Sequence, residues 1–565
     1  MNEARSTVSA ASIRTRVEAA YARIAEVARP EIWIALRDKT HVLAEAGRTD
    51  PSLPLAGLLF AVKDNIDLGP SPEGERFATT AACPSYAYTP ESSASAVVRL
   101  QEAGAICIGK TNLDQFATGL VGTRSPYGAV RSAADPDLIS GGSSSGSAVA
   151  VALGIVDFAL GTDTAGSGRV PAALGGIVGL KATLGVIPVD GVVPASPSYD
   201  CLTVFAPDLA LAAETMRVMS PPTSADPAWR PWPAHLHLAA PPRPRLAVPI
   251  EANLAALDPD FTPLWTKALE AFAAAGADLV PFDARPLLDA ALLLYEGALL
   301  AERYAAFGAH LDTLPADADP TVAAIVRAAG KFSGADLAFD QQRLRAARTK
   351  AAALLADFDA LVLPTAPRHP TIAEVGADPI GLNALMGTYT NFVNLLDMAA
   401  VAVPAGRAGT KHFGVSVITP AFADQVAIDL AARYLGVPAP LFAPADTELV
   451  VFGAHMKGMP LNRQLTDLGA RYDGEITTAA AYRMYALDTT VPKPFLVRDE
   501  RGTNLPGERW LLSRAALGTF LHALPAPMTL GPLELADGTW TTGFTANTPT
   551  GVDITEEGGW RAHVG

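Results

Sequence analysis

Charge is scarce in this chain, and what there is leans acidic. Only 18% of the 565 residues are charged, 58 acidic against 43 basic, for a formal net charge of −15. Phosphate binding needs a basic face, so this balance argues against nucleic acid as the main partner. The same field would repel an anionic substrate at long range. Cysteine is almost absent. Cys83, Cys107 and Cys201 have neither metal-ligand nor redox-motif spacing, which excludes a disulfide scaffold and fits a reducing cytosol. No apolar run reaches the roughly 18 residues that a membrane span needs: Ala148–Val156 stops at Asp157, and Leu292–Leu300 is broken by Glu296. The N-terminal stretch, with Glu3, Arg5, Arg14 and Arg16, lacks the apolar core of a signal peptide. Nine histidines form no His/Cys cluster at ligand spacing, which argues against zinc hydrolysis. No Gly-Lys-Ser/Thr follows the glycines, so a Walker-type phosphate loop is excluded. The expectation is a soluble, cytoplasmic protein.

Apolar residues are plentiful, at 49%, enough for a large core. Helical spacing of Ile13, Val17, Ala20, Tyr21 and Ile24 is followed by a β-rich run, Leu58 to Val62, that ends on Lys63. SSASAVVRLQEAG (92–104) reads as helix, ICIGKTN after it as a buried strand, and the Ala-rich stretch 345–356 as ordinary helix. This alternation indicates an α/β sheet. Two proline-rich stretches, 220–246 and 437–447, read as linkers. We expect a domain boundary at the second, giving one domain over 1–440 and a smaller one over 448–565, long enough to fold alone.

The chemistry is concentrated in residues 139–183. Two loops, GGSSSGS and GTDTAGSGR, flank one apolar helix-plus-strand. Glycine lets backbone N–H groups turn toward a small ligand, because it tolerates positive φ and close approach. GSSSG at 142–146 matches the nucleophile-elbow pattern around Ser144, but AADPDLIS makes a poor preceding strand and no histidine has a catalytic context. A serine activated by lysine remains.

The stretch GGSSSGSAVAVALGIVDFALGTDTAGSGRVPAA resembles the signature of the amidase signature family, and Lys63 in FAVKDNID matches that family's lysine. NFVNLLDMAAVAVPAG (391–406) resembles a further family element, and the likeness runs over roughly residues 20–435. Ala165 in TAGSGR, together with ACPSYAYTP, LVGTRSPYG and YEGALLAER, resembles the allophanate hydrolase branch. VVFGAHMKGMPLNRQL resembles the start of the domain which that branch appends, a γ-glutamylcyclotransferase-like module.

The resemblance implies a fold, a large mixed β-sheet covered by helices plus a small α/β-barrel-like domain. It also implies roles. Ser167 would attack an amide carbonyl, Ser143 would relay its proton, and a neutral Lys63 would accept it. Such a lysine needs a pKa lowered from about 10.4 to roughly 7–8, a change of roughly 4 kcal/mol that burial can supply. N–H groups of Thr164, Ala165, Gly166 and Ser167 would form the oxyanion hole, with Ser144 and Ser145 in support and Asp163 pairing with Arg169 to hold the loop. Arg303 and Tyr295, eight residues apart and so on one side of a helix, would grip the allophanate carboxylate beside Gly122. In the second domain His455 is the candidate for decarboxylating the first product; RAALGTFLHALPAP (514–527) has no acid where cyclotransferases carry their glutamate, which argues against that activity. No metal or organic cofactor is implied. A homodimer is expected, linked to a urea carboxylase or to cyanuric acid breakdown. The alternative is an amidase of the same family acting on another small amide.

Overall fold

The computed structural model describes residues 9–524, 528–546 and 549–565. Glu3, Arg5 and the end of the 514–527 stretch lie outside the described residues. The chain divides into two compact units. The first holds the chain up to Pro231 together with Pro244–Phe442; the second joins Trp232–Arg243 to Ala443–Gly565. Part of the proline-rich stretch 220–246 is therefore built into the second unit, where Leu238 N–H bonds to the Gly469 carbonyl at 2.8 Å and Ala515 N–H to that of Ala234 at 3.2 Å.

In the first unit, eleven strands among the described residues form one mixed sheet. They are β1 (Trp33–Leu36), β2 (Leu59–Lys63), β3 (Ile106–Thr111), β4 (Phe158–Asp163), β5 (Val178–Lys181) and β6 (Cys201–Ala206). After these come β7 (Arg245–Pro249), β8 (Asp278–Phe282), β9 (Ala360–Pro364), β10 (Met398–Ala408) and β11 (Lys411–Pro420). Their spatial order is β1-β3-β2-β4-β6-β5-β10-β11-β9-β7-β8. β2 lies parallel between β3 and β4, buried along its whole length. Strands covered on both faces read as continuous apolar runs, which is why LFAV has no polar alternation.

The helix Ser145–Ala152 leads into β4. Its residues from Ser145 to Val151 are buried, and Ala148–Val151 pack in one cluster with Ile13, Val17, Leu59, Ile106 and Ala159. A helix apolar all round belongs inside a core, and this one fixes both serine loops to the sheet. The Ala-rich stretch forms the end of a long helix, Gly334–Leu355, with Ala356 as its C-cap.

The second unit is β-rich. Eight of its described strands form a sheet in which Thr447–Val451 pairs antiparallel with Pro506–Leu512, and the helix Arg514–His522 buries Ala516 and Phe520. Leu449, Val451, Trp510, Phe520, Phe544 and Trp560 belong to its core.

Candidate active site

Lys63 ends β2 and Asp163 ends β4, so adjacent parallel strands deliver both to one sheet edge. This is where open α/β sheets commonly bind ligands. Lys63 has no solvent exposure. Its Nζ donates to Ser143 Oγ at 2.7 Å and to Thr162 Oγ1 at 2.7 Å. Burial drives its pKa down to about 7, against the opposing fields of Asp114, Asp200 and Asp163. At neutral pH a large share of the side chain is thus an uncharged amine.

Ser143 follows a cis Gly142–Ser143 peptide, just before the helix that begins at Ser145. Ser144 Oγ donates to the Thr162 carbonyl at 3.1 Å and Ser145 Oγ to that of Asn112 at 3.3 Å, so both hydroxyls are engaged with backbone. Ser167 lies in the loop between β4 and the helix Val170–Gly175, 2% exposed. Among the described residues no hydrogen bond joins Ser167 Oγ to Ser143.

Asp163 organises that loop. Its Oδ1 accepts Gly166 N–H at 2.8 Å and its Oδ2 accepts Gly168 N–H at 3.0 Å. Arg169 grips the same carboxylate with Nε at 2.9 Å and Nη2 at 3.0 Å, both residues fully buried. Removing one partner would strand the other charge inside the protein, at a cost of about 3–5 kcal/mol. Arg169 also bonds Asn394 Oδ1 and the Thr390 carbonyl, while Asn394 Nδ2 donates to the Asp163 carbonyl at 2.7 Å. The 391–406 element thus braces the nucleophile loop. Gly166 has φ +131°, and a Cβ there would lie 2.3 Å from Thr390 Oγ1, so no side chain fits. With Gly166 N–H committed to Asp163, the N–H groups of Thr164, Ala165 and Ser167 are those without a hydrogen-bond partner among the described residues. Of the four N–H groups expected to face an oxyanion at this loop, that of Gly166 is already engaged by Asp163.

Arg303 is fully buried, with Nη1 donating to Thr118 Oγ1 at 3.1 Å. Its Nε and Nη2 are buried without a partner among the described residues. Its guanidinium stands over the Tyr295 ring, 5.3 Å from the centroid. The expected single helix does not carry the pair. Short helical turns at Leu292–Leu294 and Ala298–Leu300 are separated by Gly297 in extended conformation, followed by Ala301–Arg303 and a π-helical turn, Tyr304–Gly308. Gly297 packs against Asp340, whose Oδ2 a Cβ would approach to 2.5 Å, so an intervening side chain is barred there. The two side chains meet across a broken chain instead of along a helix face. Gly122 has φ +76°, donates its N–H to Asp114 Oδ2 at 3.0 Å and accepts from Val130 N–H at 2.9 Å. Tyr295 lines a cavity of about 530 Å³, together with Arg124 and Asn391.

Thr162, Asp114, Asp200, Thr390 and Asn394 contribute to the site without having been singled out in the sequence. Asp163 and Arg169 flank the serine loop closely enough to be noticed; Asn394 lies 227 positions beyond Ser167, inside the 391–406 element, where nothing local sets it apart from its neighbours.

Lys63, Ser143, Asp163 and Arg169 thus assemble a buried Lys–Ser contact beside a braced serine loop. A family model described as Amidase matches residues 16–427. The chain belongs to the amidase family. A second model, the allophanate hydrolase C-terminal domain, matches residues 447–565. A solved allophanate hydrolase from Kluyveromyces lactis superposes on this amidase with a TM-score of 0.85 at 38% identity, covering 98% of this chain and 96% of that one. A urea amidolyase from Lachancea kluyveri is 41% identical over 94% of this chain, which spans 31% of that relative's length. A 2-amino-5-chloromuconic acid deaminase from Comamonas testosteroni is 32% identical over 68% of this chain and 82% of its own length. The chain is an amidase-family hydrolase built on the mixed α/β fold of this family, with a β-rich C-terminal domain. Among the described residues no helix is long and apolar enough to cross a membrane.

In the second unit His455 is 4% exposed and its Nε2 lies 2.9 Å from Gln464 Oε1. It stacks on Phe544 at 5.1 Å, and burial lowers its pKa. It lines a cavity of about 410 Å³ with Lys493 and Asp467.

Proposed function

We propose that this chain hydrolyses allophanate (urea-1-carboxylate) to ammonia and CO₂. The observation that carries the reading is Arg303: a buried guanidinium with two unmet donors, in a chain that matches allophanate hydrolase from end to end. An unpaired buried cation is costly, and a bound carboxylate would supply both the countercharge and two parallel acceptors. Such local capture matters in a protein of net charge −15, because salt screens the unfavourable field beyond about 8–10 Å.

In the chemistry we infer, neutral Lys63 takes a proton from Ser143, which takes one from Ser167 as Ser167 Oγ attacks the terminal amide carbonyl. The missing Ser167–Ser143 bond would form once substrate fills the site, since catalytic hydrogen bonds often tighten only then. The oxyanion would meet the N–H groups of Thr164, Ala165 and Ser167, each such donor typically worth on the order of 10²–10³ in rate. The proton returns to the departing nitrogen, ammonia leaves, and water releases N-carboxycarbamate. Loss of CO₂ from that product yields carbamate, hence a second ammonia and a second CO₂. With its N–H held by Asp114, Gly122 would serve by shaping the substrate loop.

Replacing Arg303 by alanine should raise KM for allophanate by about 10²–10³-fold, the loss of roughly 3–4 kcal/mol of charge-assisted hydrogen bonding, with a smaller change in kcat. Steady-state ammonia release measures it; an unchanged KM, or wild-type turnover of acetamide in preference to allophanate, would overturn the reading.

The second unit, cyclotransferase-like in our reading, would hasten decarboxylation at the His455 cavity, where Lys493 offers a cation. For His455→Asn we expect the first ammonia at the wild-type rate and a lag in CO₂. Parallel time courses of both products test this, and superimposed curves would remove His455 from the reaction. We infer a homodimer. The similarity to proteins named urea amidolyases supports a place beside an enzyme that carboxylates urea.

A further inference from the structure

Neither the relay nor the carboxylate grip uses Asp200, yet it is a carboxylate only 6% exposed beside both. It precedes β6, where Cys201 pairs with Asp163 of β4 and so brings Asp200 to the start of the nucleophile loop. Its Oδ2 accepts the N–H groups of Ala195 at 2.8 Å and Ser196 at 3.0 Å. Its Oδ1 accepts the Thr164 hydroxyl. Two buried carboxylates therefore hold the loop, Asp163 at Gly166 and Gly168, and Asp200 at Thr164. The three N–H groups without partners fall among these anchors. Burial pushes the Asp200 pKa up to about 6, against the Thr164 hydroxyl and the field of Arg303, and the carboxylate in turn raises the pKa of Lys63.

We propose that Asp200 is the positioning residue of the oxyanion hole, fixing the Thr164–Ala165 end of the loop through the Thr164 hydroxyl. The proposal rests on the reading of residues 164–167 as that hole. A carboxylate suits the task because it is acceptor-only and can serve a hydroxyl and two backbone amides together. Asparagine at 200 would have one acceptor oxygen for that set and would turn an NH₂ group toward a donor. Loss of the anchor would let the first peptide of the hole tilt, and misplacement by about 1 Å can cost on the order of 10² in rate.

The test compares Thr164→Val, Thr164→Ser, Asp200→Asn and the Thr164→Val/Asp200→Asn double variant in the full chain. Two readouts are needed: allophanate kinetics, and the rate at which a fluorophosphonate probe labels Ser167. The second needs the oxyanion hole but not the substrate assignment, so a chain inactive on allophanate would sink the proposed function while labelling still tests Asp200. Thr164→Val, which keeps the N–H and the side-chain shape, should lower kcat and the labelling rate by about 10- to 100-fold, with KM within about threefold. Thr164→Ser should restore both, and the double variant should be no slower than Asp200→Asn alone. Wild-type labelling by Thr164→Val, or losses that multiply in the double variant, would overturn the proposal. Should Asp200→Asn fail to fold, the Val/Ser pair at Thr164 still decides.

Discussion

Lys63→Met should lose on the order of 10⁴-fold or more in kcat/KM for allophanate, because a neutral, fully buried amine is the base of the proposed relay and, among the described residues, Lys63 Nζ is the hydrogen-bond partner of Ser143 Oγ. In the wild type, kcat/KM should rise with pH through about 7 as Lys63 loses its proton, and then level off. The same depressed pKa has a consequence for stability. In the unfolded chain lysine titrates near 10.4, so between about 7 and 10.4 the unfolded state binds the extra proton and stability rises with pH. Below about 7 both states carry it, and the fold bears the full cost of a buried ammonium. Methionine removes that cost. The melting temperature of Lys63→Met should therefore stand highest relative to wild type below pH 7, and the difference should narrow toward pH 10. Thermal melts at pH 6, 8 and 10 check this; a difference that does not vary with pH would mean that Lys63 is not held near neutrality.

Ser167→Ala should abolish turnover to the same extent and also prevent labelling by a fluorophosphonate, since the proposed acyl group forms on that oxygen alone. Little stability should be lost. The Ser167 hydroxyl makes no hydrogen bond among the described residues, whereas the loop is held by Asp163, Arg169 and Asn394. A folded, unlabelled, inactive Ser167→Ala protein alongside a labelled but slow Ser143→Ala protein would separate nucleophile from relay. Retained labelling of Ser167→Ala would move the nucleophile elsewhere, with Ser143 the first place to look.

Much of the scaffold was legible along the chain because it is local. The uninterrupted apolar run before Lys63 signals a strand covered on both faces, and SAVAVA between two glycine-serine loops signals a buried helix. Asp163 and Arg169 sit six residues apart around the serine, so their pairing needed only one tight loop. Tyr295 and Arg303 mark the limit of reasoning from spacing. Eight residues suit a helix, but Gly297 breaks it for a reason found only in space, the carboxylate of Asp340 packed against it. The serine loop holds a subtler difference: all four N–H groups look equivalent in the string TAGS, and that of Gly166 is occupied by Asp163.

By itself the sequence determined which side chains were available: a lysine after an apolar strand, two serines in glycine loops, an arginine in an apolar stretch, and too few cysteines or clustered histidines for another chemistry. The tertiary structure alone decided their states. Burial made Lys63 a weak base near neutrality, Asp163 took Gly166 N–H out of the donor set, and Asp200 reached Thr164 across the β4–β6 pairing. Desolvation and hydrogen-bond competition depend on what surrounds an atom in three dimensions, and that is not written in the spacing of residues along a chain.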